Sequence, residues 1–155
     1  MALKEGDKAP DFKVASNKGK EISLKDFKSK NRVVLYFYPK DDTPGCTVEA
    51  CAFRDNIKKI EKKDAVVLGV SPDGVASHNK FIDKFKLPFI LLADEDKKIS
   101  NDYGVWVKKS MYGREYMGVA RTTFVIGKDG KIEKIYEKVK PEGHADEVLG
   151  FLNGA

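Results

Sequence analysis

The strongest apolar signal in the chain is the run Val33-Val34-Leu35-Tyr36-Phe37-Tyr38, rich in β-branched and aromatic residues with no polar break. It predicts a buried strand over Arg32 to Tyr38. Past a polar turn the period changes. Val48, Cys51, Ala52, Ile57 and Ile60 recur at near-helical spacing and predict a helix over Cys46 to Lys62. The alternation continues. Ala65 to Val70 reads as a second buried strand, ended by Ser71-Pro72-Asp73-Gly74, and Val75 to Phe85 as a helix with Phe81, Ile82 and Phe85 on one side. Leu87 to Leu92 is a short strand with Pro88 near its start, where a missing N–H matters least. Asp94 to Tyr103 fits a short helix. Arg121 to Ile126 and Lys131 to Tyr136 read as strands joined through Gly127-Lys128-Asp129-Gly130, a hairpin. The tail Ala145 to Leu152 is an amphipathic helix bearing Val148, Leu149, Phe151 and Leu152. This order implies an α/β layered domain with a mixed central sheet flanked by helices.

Size and charge narrow the class. At 155 residues the chain is expected to form one domain, residues 1–155. A domain of this length buries roughly 70% of its unfolded surface, enough for a core without staples. No apolar run approaches the ~20 residues needed to cross a bilayer. Met1 to Asp7 lacks the apolar stretch of a secretory signal, so a cytoplasmic location is expected. The net charge is +5, from 29 Lys and Arg against 24 Asp and Glu. The positive charge is almost all lysine, scattered among acids as in Lys58-Lys59-Ile60-Glu61-Lys62-Lys63-Asp64. A nucleic-acid surface would be more segregated and richer in arginine, so none is expected.

The candidate chemistry lies where the first strong strand hands over to the first long helix, at Pro39-Lys40-Asp41-Asp42-Thr43-Pro44-Gly45-Cys46. Asp42 or Thr43 can cap the helix, Pro44 suits its first position, and Gly45 lets backbone and ligand approach the sulfur. Cys46 then sits in the first turn, near unpaired N–H groups and the positive end of the helix dipole. Both favour the thiolate, which is the nucleophile. The only other cysteine, Cys51, follows at i+5. On an ideal helix that spacing separates the Cα atoms by roughly 8–9 Å, beyond the roughly 4.4–6.8 Å of a disulfide. The pair can bond only if the first turns unwind. The alternative is that both are small buried hydrophobes. Metal binding is disfavoured, because His78 and His144 are distant in sequence and form no ligand pair; both read as surface residues. No glycine-rich phosphate loop is present, and no cofactor is expected.

These residues resemble a known family. Pro39-x-x-x-Thr43-x-x-Cys46 is similar to the peroxiredoxin signature, and Phe37 through Cys51 resembles its bacterioferritin comigratory protein (peroxiredoxin Q) branch. Tyr103-Gly104-Val105-Trp106, Tyr112-Gly113, Arg121-Thr122-Thr123-Phe124 and His144 to Leu149 resemble that branch in the same order. The resemblance implies a thioredoxin-like fold and a thiol-dependent peroxidase of cellular antioxidant defence. It implies that Cys46 is the peroxidatic cysteine, which peroxide oxidises to a sulfenic acid. Thr43 would orient the peroxide, Pro39 would shield the sulfur from water, and Arg121 would stabilise thiolate and leaving oxygen. On the residues alone Arg121 reads as a surface salt bridge. Cys51 matches the resolving cysteine, giving an intramolecular disulfide that a thioredoxin-like or glutaredoxin-like dithiol reduces. Glu49 is read as a first-turn acid favoured by the dipole, and Trp106, Phe124 and the tyrosines as core or pocket wall. The resemblance implies a monomer or weak homodimer that acts on hydrogen peroxide and organic hydroperoxides, with no membrane partner. A one-cysteine cycle and a non-catalytic redox sensor or holding chaperone are the competing readings.

Overall fold

The computed structural model describes residues 3–154. Its centre is a five-stranded mixed sheet. Strand β3 (Arg32–Phe37) lies in the middle, parallel to β4 (Ala65–Ser71), which is in turn parallel to β5 (Ile90–Ala93). On its other side β3 runs antiparallel to β8 (Thr122–Ile126), and β8 is antiparallel to β9 (Ile132–Tyr136). The expected mixed sheet flanked by helices is therefore what forms.

The unbroken apolar run of β3 follows from cover on both faces. Val34 and Tyr36 pack with Phe53, Ile60, Phe81, Val148 and Leu152. These come from α1 (Pro44–Glu61), α2 (Val75–Phe85) and α4 (His144–Gly154). Val33, Leu35 and Phe37 point the other way, against Phe12, Ile22, Leu24, Ile99 and Tyr103. That second layer is built from β1 (Lys13–Ala15), β2 (Glu21–Ser23), a short 3-10 turn (Leu24–Phe27) and α3 (Lys98–Asp102).

One further hairpin has no counterpart in the apolar pattern. β6 (Trp106–Met111) pairs with β7 (Arg114–Val119) across a two-residue turn, Tyr112-Gly113, in which both residues have positive φ. That is the backbone a tight hairpin requires. Tyr112 is almost wholly exposed and Tyr116, Met111 and Met117 are well exposed. So these two tyrosines are not core, whereas Tyr36, Tyr38, Tyr103 and Phe124 are.

Both histidines are buried, not on the surface as their isolation in sequence suggests. Each ring can be buried because both nitrogens find partners. His78 meets Asp41 and the Leu92 carbonyl, and His144 meets Thr123 and Glu147.

Strand direction sets where a site can form. The carboxyl ends of β3, β4 and β5 lie along one edge, the usual ligand side of such sheets. Because β8 is antiparallel, with Thr122 opposite Phe37, its beginning reaches the same edge. Arg121 therefore stands beside the segment that leaves β3.

Candidate active site

Helix α1 begins where the sequence places it, with Thr43 at the cap position and Pro44 in the first turn. Neither expected cap forms. The Thr43 hydroxyl donates to the Lys40 carbonyl at 3.0 Å, and the Asp42 carboxylate pairs with Lys84 at 2.9 Å. No acid lies in the first turn. The turn that carries Cys46 is thus held less by its own side chains than by contacts from elsewhere.

Arg121 supplies those contacts. Its Nη2 donates to Cys46 Sγ at 3.1 Å and its Nη1 to Glu49 Oε1 at 3.1 Å. A thiolate accepts such a bond better than a thiol does. Gly45 makes room for the guanidinium. A Cβ there would meet Arg121 Nη2 at 2.9 Å. The glycine therefore admits a protein cation beside the sulfur. Cys46 is only 1% exposed and packs in the core beneath α1.

Glu49 corrects a sequence expectation. It lies one turn deeper than the cap, 1% exposed, where the dipole of the first turn does not explain it. Burial pushes its carboxyl up from the ordinary 4.5 to about 7, and Arg121 pulls in the opposite direction. Its Oε2 and the hydroxyl of Tyr36 are buried without a partner among the described residues. Burial, then the negative charges of Glu49 and Cys46, push the Tyr36 phenol far up, so it stays neutral.

Lys109 on β6 is a residue that sequence reasoning does not find. It is half-buried, with its stem against Gly118. Burial and then the Arg121 charge lower its ammonium pKa, while Cys46 raises it. The hairpin thus brings a second cation into the field of the sulfur, although no local pattern marks β6 as part of a site.

Of the residues singled out from the sequence, Arg121 touches the sulfur, and Gly45 and Glu49 lie against the same guanidinium. Thr43 precedes the same turn, and Pro39 lies in the loop between β3 and α1. Cys51 lies farther along the unbroken helix, half-buried, and both cysteines are free thiols. Trp106 is half-buried on β6 and packs against the core cluster of Phe37, Tyr103 and Phe124, as wall and not as chemistry.

Comparison with known proteins identifies the family. Residues 5–135 match the AhpC/TSA family. The peroxiredoxin Bcp of Bacillus subtilis is 47% identical over 152 residues, covering 98% of this chain and 96% of that one. A cysteine-to-serine mutant of Xylella fastidiosa PrxQ superposes with a TM-score of 0.93 at 34% identity, covering 99% of this chain and 98% of that chain. The bacterioferritin comigratory protein of Xanthomonas campestris, studied for alkyl peroxide reduction, gives 0.88 at 36% identity, covering 92% of this chain and 90% of that chain. The chain belongs to the AhpC/TSA family and is a peroxiredoxin of the Bcp type with a thioredoxin-like fold.

Proposed function

We propose that this peroxiredoxin reduces hydrogen peroxide and organic hydroperoxides through Cys46 and a Cys46–Cys51 disulfide, within a single domain spanning residues 1–155. The observation that carries the reading is the Arg121 Nη2 to Cys46 Sγ contact of 3.1 Å at the first turn of α1. The substrate is a peroxide and the reductant a thiol. The Cys46 thiolate attacks one peroxide oxygen. An S–O bond forms, the O–O bond breaks, and the leaving oxygen takes up a proton to depart as water or alcohol. Arg121 stabilises both the thiolate and the charge that grows on the leaving oxygen. The Thr43 hydroxyl already donates its proton to Lys40, so its lone pairs are free to accept from the peroxide O–H. Pro39 limits water beside the sulfur.

The Cys51 thiolate then attacks the Cys46 sulfenic acid; the S–S bond forms and hydroxide leaves as water once protonated. An intact α1 keeps the sulfurs apart, so this step unwinds the first turns. Two observations support an easily opened turn: Thr43 makes no side-chain cap bond, and Gly45 sits within the turn. A thioredoxin-like or glutaredoxin-like dithiol restores the thiols. A cysteine that must be re-reduced each cycle belongs in a reducing compartment, so we place the enzyme in the cytoplasm, as a monomer or weak homodimer.

The test is mass spectrometry after one equivalent of peroxide, beside steady-state turnover with thioredoxin. The wild type should lose two hydrogens. Cys51→Ser should gain one oxygen and lose thioredoxin-dependent turnover, and Cys46→Ser should consume no peroxide. Peroxide turnover retained by Cys46→Ser would sink the assignment. A lasting added oxygen in the wild type would establish the one-cysteine cycle instead.

A further inference from the structure

The loop that carries Pro39 and Thr43 is fastened from below by a buried polar network on α2. Asp41, in the middle of that loop, is buried. Its Oδ1 accepts from the Tyr38 hydroxyl. Its Oδ2 accepts from Ser77 Oγ at 2.8 Å and faces His78 Nδ1 at 2.7 Å. The Asp41 backbone N–H donates to Asp73 Oδ2 at 2.7 Å, and the Ser71 hydroxyl donates to that same oxygen. The far side of the imidazole, Nε2, lies 2.8 Å from the Leu92 carbonyl. A carbonyl only accepts, so Nε2 carries a proton. The remaining nitrogen then shares a second proton with the Asp41 carboxyl. His78 and Asp41 thus form a buried, fully partnered pair that ties the loop after β3 to α2 and β5.

Nothing in the chemistry of peroxide reduction consumes this pair. Its consequence is positional. Both residues that flank the peroxide, Pro39 and Thr43, lie two positions from Asp41, and Asp42 between them holds a left-handed backbone with φ of 57°. A loop with that conformation needs fixing from outside. We infer that Ser77 and His78 are positioning residues for the peroxide site. Through Asp41 they hold Pro39 and Thr43 in place, and they form the stationary end against which the first turn of α1 unwinds. The inference rests on the proposed roles of Thr43 and Cys46. It adds that the opening motion starts after Asp41, with the loop before it staying docked.

The experiment compares reduced wild type with Ser77→Ala, His78→Leu and His78→Asn. An asparagine amide keeps a donor for Asp41 and gives up the Leu92 bond. Two rates are read at Cys46: peroxide consumption, by competition with horseradish peroxidase, and alkylation by iodoacetamide, which needs no oriented peroxide. Circular dichroism confirms the folded fraction, and Ser77→Ala keeps the test alive if His78→Leu does not fold. Ser77→Ala and His78→Leu should lower the peroxide rate by between about tenfold and about a hundredfold. Their alkylation should stay the same or quicken, because the turn opens more freely. His78→Asn should recover most of the peroxide rate. Folded variants with wild-type peroxide rates would overturn the inference, as would equal losses in both rates, which would mark a general loss of structure. A wild type that reacts with iodoacetamide but not with peroxide would defeat the peroxidase reading itself, an outcome distinct from failure of the positioning role.

Discussion

Replacing Glu49 by glutamine removes one charge from the least hydrated part of the site and leaves the shape unchanged. Glu49 is 1% exposed, and burial raises its carboxyl from 4.5 to about 7 despite the opposing pull of Arg121. Each unit of that difference is worth about 1.4 kcal/mol, so the full interval corresponds to about 3 kcal/mol. The sign follows from which state binds the proton. Below the unfolded value of 4.5 both states are protonated and the contribution is fully present. Between 4.5 and about 7 the unfolded chain gives up its proton first, so wild-type stability falls as pH rises. Above that it is flat. Glutamine has no proton to lose, so the wild-type minus variant difference isolates Glu49 from every other titrating group. Urea unfolding of both proteins under reducing conditions, at about pH 5 and about pH 8, should show the variant gaining about 2 kcal/mol or more on the wild type across that interval. Parallel pH profiles, within about 0.5 kcal/mol of each other, would refute a Glu49 carboxyl raised by burial.

Gly45→Ala should slow peroxide consumption by about tenfold or more, which is about 1.4 kcal/mol of barrier, because its Cβ would lie 2.9 Å from Arg121 Nη2. Equal peroxide rates by stopped flow would contradict the packing of Arg121 over this turn. His144 is held below its ordinary value by burial, with Glu147 opposing, so its contribution to stability is present above about pH 6.5 and is lost as pH falls through the folded value. His144→Asn should therefore close on the wild type in thermal melts as pH is lowered, and a constant gap would argue against a neutral buried imidazole. Lys109→Gln should slow alkylation of Cys46 by about threefold at low salt, with the difference shrinking as salt is added; an unchanged rate at low salt would remove Lys109 from the field of the sulfur.

What can be seen in the sequence depends on how local its cause is. The run from Val33 to Tyr38 announces a buried strand because the sheet is covered on both faces, and α1 announces itself through its apolar stripe. The β6–β7 hairpin is silent. Most of its residues face solvent on both sides, so no alternation develops, and Tyr112-Gly113 is its only local sign. The cysteine spacing and the first-turn position of Cys46 are legible for the same local reason. Glu49 is visible three residues on, yet its burial depends on Arg121, 72 positions away. The histidines mislead because their partners lie elsewhere: Asp41 is 37 positions from His78, and Thr123 is 21 from His144.

The proposed cycle asks the same helical turn to be ordered while Cys46 reacts and open while Cys51 resolves it. The contacts show how one structure can meet both demands. The turn has no side-chain cap, an omission that costs about 1 kcal/mol, and Gly45 weakens it by roughly 0.5–1 kcal/mol more. Its order comes instead from the guanidinium that bridges Cys46 and Glu49. A bond from arginine to a thiolate is charge-assisted and about twice as strong as a neutral one. A sulfenic acid is neutral, so oxidation weakens the contact that holds the turn closed. With Asp41 docked on α2 and Arg121 loosened from the sulfur, the segment free to move begins after Asp41 and includes Cys46. Peroxide chemistry would thus release the turn at the moment Cys51 needs it, with no effector beyond the oxidised sulfur itself.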